Sequence, residues 1–306
     1  MSAVPTRRGA AIEWVSRHTP KIVLAPSIAA SFVYVFLFCA WTVWLSVSNS
    51  TLLPDFTFAG IKHYIALWQN RRWTIAYTNL FLFGGLYVAG SLLIGLVLAI
   101  LIDQRVRGEA VWRSVLLYPL ALSFVVTGTV WRWIFNPTTG VQAFVRGLGF
   151  AGFDFNWILD RERAIYTIVV TGVWHASGFA MVLLLAGLRS VDQDLVKAAQ
   201  IDGASMARIY RRILIPSIWP IMIAVVVILL QFAIKTFDLV AAQTGGGPGL
   251  ATNVPAIYVY DLMFQRGQIA VGAAGAVMIL VALAVVLVPY AIWSNRRNRR
   301  RDADGS

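Results

Sequence analysis

Long stretches without Asp, Glu, Lys or Arg constrain the fold of this chain more than any other feature of its sequence. Six of these stretches, each of at least 18 residues, are interpreted as membrane spans. A helix needs about 20 apolar residues to cross a hydrocarbon core of roughly 30 Å. The gaps therefore predict an all-α, polytopic membrane protein with six transmembrane helices. The predicted spans are 22–47, 75–102, 114–135, 164–188, 216–238 and 269–293.

The overall composition agrees with this prediction and excludes a water-soluble globule. Hydrophobic residues make up 58% of the 306 residues and charged residues 13%, whereas soluble domains carry about 25% charged residues. The first apolar run is longer than the 7–15 residues of a signal-peptide core, so we expect it to remain as the first helix. Cys39 is the single cysteine, and it can form no internal disulfide.

Lys and Arg are distributed unevenly between the two sides of the predicted spans. Six crossings place both termini on one side, where 17 Lys and Arg residues lie against seven on the other. Since loops that stay in the cytoplasm are richer in Lys and Arg, both termini are predicted to be cytoplasmic. The predicted organisation is an N-terminal tail at 1–21, a six-helix transmembrane domain at 22–293 that includes the loop 189–215, and a basic tail at 294–306. The net charge of +12 follows from this bias, so we expect no nucleic-acid partner.

Clusters of side chains that could carry out an enzymatic reaction do not occur in the sequence. His18, His63 and His175 are scattered over a tail, an outer loop and the fourth span. The Gly-rich run Thr244–Gly249 lacks the Lys that holds phosphates in a P-loop, and we interpret it as an outer turn. We therefore expect no catalytic residue, no metal site and no cofactor in this chain. Any ATP would be bound by another chain.

The loop between the fourth and fifth spans, at 189–215, has the pattern of two short amphipathic helices. Apolar residues recur at spacings of three and four on both sides of Gly203. They are Leu195, Ala198 and Ala199 before it, and Met206, Ile209, Tyr210 and Ile213 after it. Asp192 and Asp194 suit the start of the first helix, and Ser205 suits the N-cap of the second. Such a pair can lie on the membrane surface or dock into a groove of a partner.

The same loop resembles the signature of ABC importer permeases, E-A-A-x-x-x-G followed after nine residues by I-x-L-P. The matching residues are Ala198-Ala199-Gln200-Ile201-Asp202-Gly203 and Ile213-Leu214-Ile215-Pro216. Lys197 replaces the usual Glu, and Ile215 replaces the usual Leu. The resemblance implies that this loop is the coupling helix, which contacts an ATPase. The residues implied in coupling are Ala198, Ala199, Asp202, Gly203, Arg208, Ile213 and Pro216.

The resemblance extends over most of the chain and points to carbohydrate permeases of the maltose and glycerol-phosphate importer type. The stretches that carry it are Tyr118–Ser123, Ala198–Ser205, Lys235–Asp238 and Thr244–Gly249. They are similar in particular to the first permease subunit of proteobacterial glucose/mannose importers. The resemblance implies a bacterial inner-membrane protein that pairs with a second permease subunit. It further implies a cytoplasmic ATPase dimer that binds ATP and Mg, and a periplasmic sugar-binding protein that delivers a hexose.

Polar residues within the spans are candidates for contact with the sugar, because such residues usually face the bundle interior or a wet cavity. A pyranose needs hydrogen-bonding groups for its hydroxyls and an aromatic ring for its apolar face. In the fifth span, Gln231, Lys235 and Asp238 are predicted to share one stripe of the helix. The full set of candidates is Asn79, Trp174, His175, Ser177, Gln231, Lys235 and Asp238.

Each of these candidates also has a structural interpretation. Tryptophans at helix ends often anchor a span at the membrane interface. Lys235 and Asp238 can form an ion pair at the outer boundary. A lone histidine such as His175 can pack within the bundle or form an interhelical hydrogen bond.

An ion-coupled secondary transporter of small polar solutes is the alternative function for such a chain. Carriers of that kind hold acidic residues inside the membrane to bind the coupling ion. Asp103 and Asp238 lie only at the ends of predicted spans, and the inner portions of all six contain no carboxylate. The residue pattern therefore argues against such a carrier, and the resemblance implies instead a conduit that a separate ATPase drives by alternating access.

Overall fold

The computed structural model describes the backbone of residues 7–104 and 106–304 and the side chains of residues 23–104 and 106–297. Within these limits the chain is helical and contains no strand, apart from one isolated bridge between Ser48 and Phe58. The fold is therefore all-α, as the sequence predicts. The predicted tails lie partly outside these residues: 1–6 and 305–306 are not described, and 7–21 continue the first helix.

Short helices alternate with long ones along the described chain. The helices are α1 Arg7–Ser46, α2 Lys62–Gln69, α3 Arg71–Asp103, α4 Glu109–Ala121, α5 Phe124–Ile134, α6 Val141–Gly147, α7 Ala164–Arg189, α8 Gln193–Ile201, α9 Met206–Ile209, α10 Ile215–Ser217, α11 Trp219–Ile234, α12 Asp238–Gln243, α13 Pro255–Tyr260 and α14 Ile269–Asp304. Two π-helical turns, Tyr210–Leu214 and Asp261–Gln265, continue α9 and α13.

Four helices are long and apolar enough to cross a membrane without interruption. Their membrane-length segments are Val23–Ser46, Arg71–Asp103, Ala164–Arg189 and Ile269–Arg297. They coincide with four of the six predicted spans to within a few residues. The agreement arises because an apolar segment of this length must satisfy its backbone hydrogen bonds internally, which a helix does.

The predicted third span, 114–135, is not one continuous helix. Its two parts, α4 and α5, are bent by 96° relative to each other. Pro119 supplies no amide hydrogen to the helix, and Leu122 adopts an extended conformation that ends α4. The Ser123 hydroxyl then accepts a hydrogen bond from the Val126 amide and so caps α5.

The predicted fifth span, 216–238, is also interrupted. The segment Met206–Ser217 and α11 meet at an angle of 67° near Ile218. Pro216 and Pro220 flank this bend, and both remove a backbone donor from the helical ladder. If each bent pair counts as one span, the described residues provide up to six spans.

The centre of the bundle is the packing of α3 against α7. Gly95 lies where a methyl group on its Cα would come within 2.6 Å of the Ala180 Cβ atom. Small residues at such crossings let two helix backbones approach closely. Helices α4 and α11 pack on this pair, whereas α1 packs on α14 and leaves its described side chains largely exposed.

Candidate coupling loop and transport pathway

The loop between α7 and α11 forms the two short helices that its apolar spacing predicts. The Asp192 side chain accepts a hydrogen bond from the Asp194 amide at the start of α8. The Lys197 Nζ atom lies 2.9 Å from the Asp194 Oδ1 atom, so the residue that replaces the usual Glu forms a local ion pair. Gly203 separates α8 from α9 with φ of +77°, a conformation that glycine adopts at little cost. Ser205 occupies the N-cap of α9 without a side-chain hydrogen bond.

The first half of the signature is exposed. No residue of α8 is buried, and Ala198, Asp202, Gly203 and Arg208 are all exposed, while Ala199 is half-buried. Apolar side chains are exposed here too: Leu195, Ile201 and Met206. Small, polar and apolar groups therefore lie together on a surface that is open to a partner.

The second half of the signature connects this surface to the bundle. Ile213 is half-buried and Pro216 is exposed. The residues beside them, Ile209, Tyr210 and Leu214, are buried in the main hydrophobic core. The loop thus has an exposed end at α8 and an end that is packed into the membrane helices.

Asn79, a candidate sugar contact, forms hydrogen bonds to the loop that contains Leu250 and Asn253. Its Nδ2 atom donates hydrogen bonds to the carbonyl oxygens of Leu250 and Asn253, at 3.1 and 2.9 Å. This loop follows the Gly-rich run Thr244–Gly249, which is a turn as predicted. Asn79 also lines a cleft of about 560 Å³ with Arg71, Arg72, Arg161 and Glu162, among others.

His175 is buried beside the break between α4 and α5. Its Nε2 atom lies 3.2 Å from the Leu122 carbonyl oxygen, and its ring stacks on Phe124 with centroids 4.4 Å apart. Because α4 ends here, the Leu122 carbonyl oxygen accepts no hydrogen bond within the helix. The His175 imidazole is its partner instead. This geometry favours the interhelical bond over a contact with sugar.

Trp174, Ser177 and Gln231 lie on two neighbouring helices of the bundle. Trp174 is 38% exposed, and its ring stands edge-on to Trp131 with centroids 5.5 Å apart. Ser177 is half-buried on the same helix, and Gln231 is half-buried on α11. Helices α7 and α11 are in contact. These three residues are the predicted sugar contacts that keep polar or aromatic surface available within the bundle.

Lys235 and Asp238 do not share a helical stripe with Gln231, so that prediction is wrong. Helix α11 ends at Ile234, Lys235 is its C-cap, and Asp238 begins a separate helix, α12. The helix ends here because α12 packs against α5, and Phe237 packs on Tyr260 with ring centroids 5.2 Å apart. Lys235 and Asp238 are exposed, and the described contacts include no ion pair between them.

A second cleft, of about 350 Å³, contains polar residues that the sequence reasoning missed. Arg132, Asn136, Thr138, Gln243 and Thr244 line it, together with apolar groups. The Gln243 side chain is fully buried, and neither its Oε1 nor its Nε2 atom has a hydrogen-bond partner. An amide in this position can bond to a hydroxyl group that enters the cleft. The signal in the sequence was an uncharged amide directly before the Gly-rich run.

Known proteins share this sequence and fold over most of the chain. Residues 91–300 match the family described as the binding-protein-dependent transport system inner membrane component. A probable ABC transporter permease protein of Pyrococcus horikoshii is 37% identical over 91% of this chain and 96% of its own length. The trehalose/maltose transport system permease protein MalF of Thermococcus litoralis is 27% identical over 88% of this chain and 91% of its own.

The fold also matches a solved structure. One chain of a bacterial ABC transporter involved in the import of the acidic polysaccharide alginate superposes with a TM-score of 0.79 and 19% identity. The match covers 94% of this chain and 99% of that one. The matches in sequence and fold agree with the resemblance that the signature loop carries. The chain therefore belongs to the inner membrane components of binding-protein-dependent transport systems, which are permeases of ABC importers and not enzymes.

Proposed function

We propose that this chain is the membrane-spanning permease subunit of an importer for a neutral sugar, most specifically a hexose such as glucose or mannose. The observation that carries the proposal is the exposed two-helix loop with the permease signature, set between membrane helices of this family. A relative named for trehalose and maltose transport supports a carbohydrate as the cargo. The resemblance to glucose/mannose importer permeases favours a single hexose over a disaccharide.

In this proposal the chain works with partners that supply binding and energy. A second permease subunit completes the pathway, a cytoplasmic ATPase dimer holds ATP and Mg, and a periplasmic sugar-binding protein delivers the sugar. The exposed residues Ala198, Ala199 and Gly203 allow close approach to the ATPase, and Asp202 and Arg208 supply polar contacts. ATP-driven closure then moves α8, and the bundle changes between two discrete arrangements.

The orientation follows from charge. The α7–α11 loop carries Arg189, Lys197, Arg208, Arg211 and Arg212, and loops rich in Lys and Arg stay in the cytoplasm. This charge pattern supports a cytoplasmic location for the coupling surface and both termini of a bacterial protein. The Gly-rich turn and the two clefts beside it then face the periplasm.

Uptake by the reconstituted transporter is expected to need the whole assembly. Proteoliposomes that contain this chain, the second permease and the ATPase should accumulate labelled glucose or mannose only with binding protein and ATP. The chain alone should bind no nucleotide and accumulate no sugar under a proton or sodium gradient. Maltose, xylose and glycerol 3-phosphate serve as competing cargoes. Accumulation by the chain alone under an ion gradient would favour the secondary transporter instead.

Replacing Trp174 by alanine is expected to slow sugar uptake. Loss of a stacking surface of this size costs about 1.4 kcal/mol, which corresponds to about a tenfold lower maximal rate of uptake. Trp133→Ala is the matched control, because Trp133 is 65% exposed at the end of α5. Both rates are measured with saturating binding protein. An equal effect of the two substitutions would remove Trp174 from the pathway.

A further inference from the structure

Charged side chains meet beside the coupling loop, where α3 and α7 end and α4 begins. Arg189, the last residue of α7, donates two hydrogen bonds to the carboxylate of Glu109, at 2.8 and 2.9 Å. Its Nε atom lies 3.6 Å from the Oδ1 atom of Asp103, the last residue of α3. One guanidinium group therefore bridges carboxylates from two other helices.

The coupling loop is joined to the same group of side chains. The Tyr210 hydroxyl donates a hydrogen bond of 2.7 Å to the Oδ2 atom of Asp103. Tyr210 is only 6% exposed, and it lies in the π-helical turn that follows α9. We call the four side chains of Asp103, Glu109, Arg189 and Tyr210 the clasp.

A cleft separates much of α8 from the helix ends. It has a volume of about 640 Å³, and both the clasp and residues of α8, such as Gln193 and Gln200, line it. Within α8, Val196 and Ala199 reach the edge of the hydrophobic core. If α8 moves, the turn that carries Tyr210 can move with it. The clasp joins that turn to α3 and α4, so these helices can be displaced as well.

The exposure of the clasp indicates that its main role is not stability. The charged side chains are 19–39% exposed, and ion pairs open to solvent contribute only about 0–1 kcal/mol. A bidentate arginine instead fixes the relative orientation of the groups that it joins.

We propose that Arg189, Asp103, Glu109 and Tyr210 are positioning residues that transmit movement of the coupling loop to the membrane ends of α3, α4 and α7. This inference rests on the proposed function, since it assigns the route by which the ATPase drives that transport. In this proposal the clasp acts through the helices and the loop that it joins, and not by binding the sugar or the ATPase. It acts by keeping three helix ends and the loop in one moving unit.

The test uses the complete transporter in proteoliposomes and measures sugar transported per ATP hydrolysed. Tyr210→Phe removes one hydroxyl and keeps the packing, and Arg189→Gln removes the bridge. Each is expected to lower the ratio about fivefold or more, the range of a typical coupling free energy, while ATP hydrolysis continues. The double variant Tyr210→Phe with Asp103→Ala should be no worse than the poorer single variant, because each substitution removes the same hydrogen bond.

A control variant and two contrary results complete the test of the clasp. Arg163→Gln breaks an exposed arginine–aspartate pair outside the clasp and should leave the ratio unchanged. A merely structural role for the clasp predicts less protein with an unchanged ratio, and that result would overturn the proposal. If Arg189→Gln fails to insert, Tyr210→Phe decides alone. A wild-type transporter without ATP-dependent uptake would refute the proposed function as well, whereas normal uptake with unaffected variants would refute the clasp alone.

Discussion

Replacing Gly203 by valine is expected to uncouple ATP hydrolysis from sugar uptake. The φ angle of +77° at this position disfavours any L side chain, and a left-handed backbone costs roughly 1–2 kcal/mol, most of all for a β-branched residue. That cost would tilt α8 relative to α9, and the added bulk would lie on the exposed coupling surface. We expect about a tenfold or greater loss of uptake, with hydrolysis retained, when both are measured in the same proteoliposomes.

A second substitution separates backbone strain from steric contact. Gly203→Asn adds a side chain that tolerates the left-handed conformation. Within the described chain no atom lies within 4 Å of a Cβ atom added at Gly203, so neither variant should destabilise the permease by crowding. Loss of uptake in both variants would show that a partner approaches Gly203 closely. Loss of uptake in Gly203→Val alone would show that transport requires the left-handed backbone conformation between α8 and α9. Normal uptake in both would mean that this loop is not the lever.

Replacing Gly95 by leucine is expected to disrupt the bundle itself. An added Cβ atom would lie 2.6 Å from the Ala180 Cβ atom and 3.0 Å from the Met181 amide nitrogen. The backbone cannot move aside as a flexible side chain can, so α3 and α7 must separate. Overpacking of this kind costs about 3 kcal/mol or more, and within a membrane no gain in hydrophobic burial offsets it. Thermal unfolding in detergent and the amount of inserted protein measure the loss.

Gly85→Leu is the matched control on the same helix. Among the described residues, no side chain and no other helix lies within 4 Å of a Cβ atom added at Gly85, so the added side chain enters open space. Its stability should remain close to that of the wild type. Equal losses of stability at the two positions would contradict the close α3–α7 crossing.

The interrupted span at 114–135 contains a sequence signal from which its break could have been predicted. Pro119 and Ser123 are a helix breaker and an N-cap residue within one charge-free gap, and together they indicate a break. Counting apolar length alone passed over them, because length shows whether a segment can cross a membrane and not whether it does so straight. The end of α11 at Ile234 has no comparable local signal, since no proline or glycine lies between Ile234 and Asp238.

The candidate sugar contacts show the same division between local pattern and tertiary packing. Polarity within a span identified Asn79 and His175 as unusual, and the structure gives both of them backbone carbonyl partners. It leaves Trp174 38% exposed on the same helix as His175. Gln243 could not be identified from the sequence, because a single amide near a turn is common. Only the structure distinguishes it, since its side chain is completely buried without a hydrogen-bond partner among the described residues.

The sequence by itself determined the all-helical membrane fold, the approximate positions of its spans and the two short helices of the loop at 189–215. These features depend on apolar length, helical periodicity and the conformation of Gly203, which are properties of neighbouring residues. Only the tertiary structure decided where α11 ends, which carbonyls Asn79 satisfies, and that Arg189 joins Asp103 and Glu109. Those outcomes depend on partners contributed by distant segments, and no local pattern specifies which side chains a folded bundle brings within hydrogen-bonding distance.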